Sequence, residues 1–172
     1  MKSRIDAVLG DITGLDVDAI VNAANTTLLG GGGVDGAIHF AAGPALLEAC
    51  RAIGGCPTGQ ARITGGFDLK ARRIIHTVGP IWKGGLHGEA ALLSACYRNS
   101  LQLASDAGLR SIAFPAISTG AYAYPALDAT RIAVTTVREY LDINSRPERV
   151  IFCCFSRGHF AIYKQVLADV AA

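Results

Sequence analysis

Charge is scarce in this chain, and most signatures that would name a chemistry outright are missing. Only 17% of the 172 residues are charged, and the net charge is +2. That balance gives no electrostatic ground for a nucleic-acid partner, so none is expected. No apolar run reaches the roughly 18 residues that a membrane span requires, and no membrane partner is expected. The N-terminal stretch Met1-Lys2-Ser3-Arg4-Ile5-Asp6 carries charges where a signal peptide has its apolar region, which makes the expected location cytoplasmic. Five cysteines (Cys50, Cys56, Cys96, Cys153 and Cys154) form no CxxC pair, and their number is odd. Both facts argue against a disulfide framework and a structural zinc site. Cys153 and Cys154 lie in an apolar run, where free cysteine acts as a small buried hydrophobe. Internal repeats, low-complexity tracts and linkers are also absent. No nucleophilic Ser or Cys stands on an elbow or beside a base, which leaves a covalent mechanism without support.

What is there is a chain with 51% hydrophobic residues, long enough to bury a sizeable core, and it reads as one domain over residues 1–172. Strand-like and helix-like runs alternate along its length, the pattern of an α/β fold with strands between helices. Apolar runs predict strands at Arg4–Leu9, Ala19–Ala24, Arg73–Val78, Ser111–Ile117 and Arg149–Phe155, with a weaker one at Ala61–Gly65. The 3.6-residue period predicts a helix from about Gly88 to Ala107, with Leu92, Leu93, Cys96, Leu103 and Ala107 on one face. A second begins after Pro125, striped by Leu127, Val134, Val137 and Leu141, and Tyr163, Val166, Leu167 and Val170 stripe a C-terminal one. An early helix from Val34 to about Ala42 breaks at Gly43-Pro44, and a second piece, Ala45–Ile53, ends at Gly54-Gly55.

The densest chemistry follows the second strand. Val21-Asn22-Ala23-Ala24-Asn25 is succeeded by Gly30-Gly31-Gly32-Gly33-Val34-Asp35-Gly36. Four consecutive glycines are costly in entropy and make sense where the backbone must approach a ligand closely, its N–H groups turned toward negative charge at a helix N-terminus. No Lys-Ser/Thr follows, so this is not a P-loop, and no GxGxxG opens a helix after the first strand. Two further loaded loops follow strands: Gly10-Asp11-Ile12-Thr13 and Ser118-Thr119-Gly120-Ala121-Tyr122. Ligands of open α/β sheets bind outside the carboxyl ends of strands, so the three loops are expected to share one crevice. Two anion-gripping loops suit a diphosphate.

Single residues carry two readings each. Asp11 either caps its turn or accepts from the amine of a base, and Phe155 is either core or a surface on which that base stacks. Asn22 reads as a strand-end hydrogen bonder and Asn25 as a turn residue or a ligand contact. Asp35 either caps its helix or serves as a general base. His39, one turn later on the same face, allows a histidine–aspartate pair. His76, mid-strand among apolar residues, reads as a satisfied core histidine, and His87 and His159 read as loop residues.

Together Gly10–Thr13, Val21–Asn25, Gly30–His39, His76-Thr77-Val78-Gly79-Pro80 and Pro115–Gly120 resemble a macrodomain, over nearly the whole chain. The NAAN and GGGGVDGAIH segments are similar to the MacroD-type branch, close to bacterial O-acetyl-ADP-ribose deacetylases. The resemblance implies a three-layer α/β/α sandwich with a mixed, mostly parallel central sheet. It implies ADP-ribose and its esters as ligands, with mono-ADP-ribosylated proteins as a further partner class, and no cofactor or metal. Asp11 would meet the adenine amine, Ile12 would line the pocket and Phe155 would stack on adenine, with Asn22 among the binding residues. Gly32, Gly33 and Val34 would hold one side of the diphosphate and distal ribose. Ser118, Thr119, Gly120, Ala121 and Tyr122 would embrace it from the other. Asn25 would orient the distal ribose and Asp35 would activate water. The activity implied is hydrolysis of an ester on the distal ribose or of mono-ADP-ribose on acidic side chains; the alternative is a non-catalytic ADP-ribose reader. The chain departs from the family pattern at Phe40, where Arg is usual, at Ser156, where an acid is common, and in a shorter Arg51–Pro57 segment.

Overall fold

In the computed structural model the described residues are 3–171, so Met1, Lys2 and Ala172, and with them the start of the charged N-terminal stretch, lie outside the description. Six strands form one sheet: β1 (Ile5–Leu9), β2 (Ala19–Ala23), β3 (Ala61–Gly65), β4 (Arg73–Thr77), β5 (Ser111–Phe114) and β6 (Arg149–Cys154). Their order is β1-β6-β5-β2-β4-β3. Every pairing is parallel except β3 with β4. That exception follows from the short connection between them, since parallel neighbours need a long crossover. The connection closes on itself through Gly66 N–H donating to Arg72 O at 2.8 Å.

Five helices cover the sheet: α1 (Gly33–Ala42), α2 (Pro44–Ile53), α3 (Glu89–Asp106), α4 (Ala126–Ile143) and α5 (Arg157–Ala171). Successive strand residues point to opposite faces, and the sequence obeys this rule on both sides. Val21, Ile75, Ile112, Phe114, Val150 and Phe152 face α3, α4 and α5 in one core cluster. Ile20, Ile74, Ala113, Ile151 and Cys153 face α1 and α2 in the other. The expected three-layer sandwich with a mixed, mostly parallel sheet is what forms. None of the described helices is long and apolar enough to cross a membrane.

The differences from expectation are local. β5 stops at Phe114 because Pro115 has no N–H to extend the ladder. α5 opens at Arg157, directly after β6, so His159 belongs to a helix and not to a loop. The buried stripe of α3 is Leu93, Cys96, Tyr97, Ser100, Leu101 and Ala104, rotated from the predicted one, and Ala107 is its exposed C-cap. Tyr97 draws the helix round because its ring packs 4.9 Å from that of Phe114. On α4, Leu127 is exposed, and the buried stripe runs instead through Ala129, Thr130, Ala133, Val134, Val137 and Leu141.

Candidate functional site

All parallel strands run toward one edge of the sheet, so the segments that leave β1, β2, β5 and β6 converge there. They enclose a cavity of about 700 Å³, a volume typical of small-molecule sites. Asp11, Ile12, Asn25, Gly32, Gly33, Val34, Asp35, Ser118, Thr119, Gly120, Ala121, Tyr122 and Phe155 all line it. The convergence read from three separate loops is therefore real.

Along one wall, Gly31, Gly32 and Gly33 lead into α1. Gly32 is the N-cap and offers no side chain, so the first-turn N–H groups stay free to face the cavity. The loop can lie this close to the helix only because Gly36 lacks a side chain: a Cβ there would stand 2.5 Å from Gly31 O. Asn25 ties the loop down. Its Nδ2 donates to Gly30 O at 2.9 Å, while its Oδ1 accepts from Thr27 N at 3.1 Å and Thr27 Oγ1 at 2.6 Å. One Nδ2 hydrogen remains for a ligand.

The facing wall is the 115–122 loop. Ser118 sits at φ +67°, a left-handed conformation that a non-glycine residue adopts only when its surroundings enforce it. The enforcement is visible: Ser118 Oγ donates to Pro80 O at 2.8 Å, and Thr119 Oγ1 donates to Ala116 O at 2.8 Å. Both hydroxyls are thus engaged with the chain itself. Among the described residues no backbone hydrogen bond uses the N–H groups of Gly120, Ala121 or Tyr122. This wall, like the other, presents main-chain donors.

Asp35 is the third residue of α1, yet it makes no capping bond. It is 5% exposed. Its Oδ1 accepts from Asn22 Nδ2 at 2.9 Å and lies 3.5 Å from His39 Nε2. Among the described residues the His39 nitrogen has no hydrogen-bond partner, so the predicted pair is a proximity rather than a bonded dyad. Oδ2 is turned toward the glycine loop, 3.1 Å from where a Gly31 Cβ would stand. Burial raises the Asp35 carboxyl above its ordinary value of 3.8, against the Asn22 hydrogen bond and the His39 ring, which pull it down.

Asn22 is a correction to the expected binding set. It is 0% exposed and lies behind Asp35 rather than on the cavity wall. The strand alternation that sends Val21 and Ala23 to one face sends Asn22 to the other, beneath α1. Asp11 fulfils its turn reading and still lines the cavity: Oδ1 accepts from Thr13 N at 2.9 Å and Thr13 Oγ1 at 2.7 Å, and these bonds hold its carboxyl below the usual range. Phe155 is not core. It is 90% exposed at the cavity mouth, just past the end of β6.

Sequence reasoning missed Gly79, Cys153 and His159, which also line the cavity. A Cβ at Gly79 would stand 2.1 Å from Ser118 Oγ, so the glycine is what admits the facing loop. Its place in His76-Thr77-Val78-Gly79-Pro80 was the available signal. Cys153 is buried, and that burial, with Asp11 a lesser cause, pushes its thiol up to about 11. No group of three or more His, Cys, Asp or Glu side chains among the described residues is arranged to hold a metal ion.

Fold and crevice together define an α/β ligand-binding domain with two main-chain-lined walls at a sheet's carboxyl edge. The macro domain family model matches residues 21–133. A macro domain-containing protein of Chlorobaculum tepidum is 63% identical over 164 residues, covering 95% of each chain. An O-acetyl-ADP-ribose deacetylase of Enterobacter cloacae is 54% identical over 173 residues, covering 98% of this chain and 96% of that one. The Oceanobacillus iheyensis macrodomain with ADP superposes with a TM-score of 0.91 at 46% identity, covering 96% of this chain and 90% of the other. The chain belongs to the macro domain family.

Proposed function

We propose that this protein binds ADP-ribose in the crevice and hydrolyses acyl esters on its distal ribose, with O-acetyl-ADP-ribose as the substrate. The observation that carries the reading is Asp35: a nearly buried carboxylate with one oxygen tied to Asn22 and the other directed at the glycine loop. In the proposed complex the N–H groups of the two walls grip the diphosphate, as helix ends and anion nests do. Phe155 stacks on adenine and Asp11 Oδ2 accepts from its amine, since Thr13 occupies Oδ1. Asn25, through its remaining amide hydrogen, and the glycine loop orient the distal ribose. Asp35 takes a proton from water, the hydroxide adds to the ester carbonyl, and collapse breaks the bond to the ribose oxygen, which leaves with a proton. The raised Asp35 carboxyl suits this role, because a stronger base transfers the proton more readily near neutral pH.

Two things support this reading beyond the geometry. The Enterobacter relative is named for this reaction, and the Oceanobacillus structure holds ADP. Mono-ADP-ribose on acidic side chains of proteins is the second substrate class, because the acidic side chain is likewise held as an ester of the distal ribose. Acetate release from O-acetyl-ADP-ribose tests the proposal. Asp35→Ala is expected to lose on the order of 10²–10⁴ in turnover while binding ADP-ribose with comparable affinity in calorimetry. A wild-type protein that binds ADP-ribose but releases no acetate would be a reader and not a hydrolase.

A further inference from the structure

Behind the crevice, on the sheet face beneath α1, four polar side chains from three strands and a helix meet where the flanking positions are apolar. Asn22 on β2 stands in register with His76 on β4, and Thr64 on β3 lies diagonally across from His76. All three are buried, with Ile20 and Ile74 as their neighbours on the same face. Thr64 Oγ1 donates to Gly65 O at 3.1 Å, and a hydroxyl has a single proton. With that proton given to Gly65 O, the 3.0 Å contact with His76 Nε2 is an acceptance, and we infer that the imidazole proton stands on Nε2. His76 Nδ1 is left as an acceptor, and Asn22 Nδ2 donates to it at 3.1 Å. The second hydrogen of the same Nδ2 goes to Asp35 Oδ1 at 2.9 Å. Flipping the amide would set Asn22 Oδ1 against a carboxylate oxygen, so the orientation is fixed by the acceptor at each end. Asn22 Oδ1 itself is left without a partner among the described residues.

We propose that Thr64, His76 and Asn22 are a buried positioning relay that holds the Asp35 carboxylate with Oδ2 toward the crevice. The proposal rests on the reading of Asp35 as the general base. Thr64 pins the His76 tautomer, the tautomer pins the Asn22 amide, and the amide pins Oδ1, leaving Oδ2 to meet the water. The relay needs a neutral imidazole, and burial, with His39 a lesser cause, lowers His76 to about 4. The titratable neighbours of Asp35 are then His39 on its own helix, His76 through Asn22, and Cys50 on α2. Cys50 stays protonated, since burial and the Asp35 charge both push its thiol up.

Thr64 lies clear of the crevice, so its variants test the relay without touching a ligand. Thr64→Val keeps the shape but removes the hydroxyl, and frees the imidazole to adopt the tautomer that repels Asn22. It is expected to lower kcat a few-fold with KM and the ADP-ribose Kd unchanged. His76→Leu, which removes the acceptor altogether, is expected to lower kcat about 10-fold. Both are expected to move the acid limb of kcat/KM upward, because the Asn22 bond that lowers the Asp35 carboxyl weakens. Thr64→Ser is expected to restore kcat and the limb. Carbon-13 NMR titration of the Asp35 carboxyl follows the same shift with no substrate present. Should His76→Leu not fold, the Thr64 pair still decides. Equal kcat, pH limb and carboxyl titration in Thr64→Val and wild type would overturn the relay, as would a Thr64→Ser as impaired as Thr64→Val. If wild type releases no acetate, the general-base reading fails, and the carboxyl titration alone judges the relay.

Discussion

The two faces of the central sheet are built from the same six strands but to different ends. Toward α3, α4 and α5 lies an aromatic cluster: Phe152 has Tyr163 at 4.9 Å, Phe114 at 6.1 Å and Tyr97 at 6.4 Å, ring centre to ring centre. Toward α1 and α2 the same strands carry aliphatic side chains until, at Asn22 and His76, the apolar surface gives way to a hydrogen-bonded line ending on Asp35. Area burial stabilises the first face, whereas the second accepts the desolvation of polar groups to aim one carboxylate. The contrast teaches where stability and chemistry separate in this fold, and substitutions on each face should separate them in measurement.

The largest effect on stability is expected on the aromatic face. Phe152 is 1% exposed, and Phe152→Ala should lower unfolding stability by about 3–5 kcal/mol, read from denaturant midpoints at constant m-value. ADP-ribose affinity of the folded fraction should change little. A variant that kept its stability but lost its ligand would invert the contrast.

On the other face the sign reverses. A carboxyl raised by the fold favours its protonated form, so its contribution to stability is complete below the ordinary value of 3.8 and is lost as pH rises through the raised one. At neutral pH the wild type bears the burden of a buried charge, and Asp35→Asn does not. That variant should gain about 1 kcal/mol at pH 7, seen as a higher Tm, with the gain vanishing toward pH 3 or below. Turnover should fall on the order of 10²–10⁴. An unchanged or lowered Tm at neutral pH would mean the carboxylate is better solvated than its burial implies.

The sheet and its helices were legible because periodicity is a local signal. All six strands and all five helices formed within a few residues of their apolar runs, with the weak run at Ala61–Gly65 forming the antiparallel edge. The glycine loop and Asp35 were legible because an expensive backbone composition stood beside a carboxylate. What stayed hidden depends on distant residues. Asn22 read as a strand-end hydrogen bonder and only the resemblance placed it among the binding residues; nothing in Val21-Asn22-Ala23 says that a histidine 54 positions on will stand in register with it. The 118–122 loop read as an anion grip, but nothing local says that the Ser118 hydroxyl is spent on Pro80 O, which comes from another loop. Phe155 kept both a core and a stacking reading until β6 was seen to end at Cys154.

A smaller effect belongs to the mouth of the crevice, where neither face governs. Phe155 is 90% exposed and contributes nothing to either core cluster. Phe155→Ala should leave stability within about 0.5 kcal/mol and weaken ADP-ribose binding by about 1–3 kcal/mol, the range found for bases stacked on aromatic side chains. Calorimetry with ADP-ribose against ribose-5-phosphate would sharpen the assignment, since only the ligand with a base should register the change.

The smallest expected effect lies on the aromatic side and appears only in acid. Glu89 opens α3, and its carboxylate accepts from Lys83 N at 3.0 Å, Gly85 N at 2.8 Å and His87 N at 2.6 Å. Burial pushes its carboxyl up, but these amides prevail and hold it at about 2 against an ordinary 4.5. The turn they close also supports the crevice: Trp82 N donates to Tyr122 O at 2.8 Å, and the Trp82 ring lies 4.6 Å from that of Tyr124. A carboxyl lowered by the fold stabilises it above the unfolded value and loses that contribution as pH falls through the folded one. The Tm difference between wild type and Glu89→Gln should therefore be constant above pH 4.5, shrink through the interval, and fade near pH 2. Because other carboxylates titrate equally in both proteins, the difference curve isolates this residue. A difference that stayed constant down to pH 2 would assign the effect of the substitution to lost packing rather than to the anion in its ring of amides.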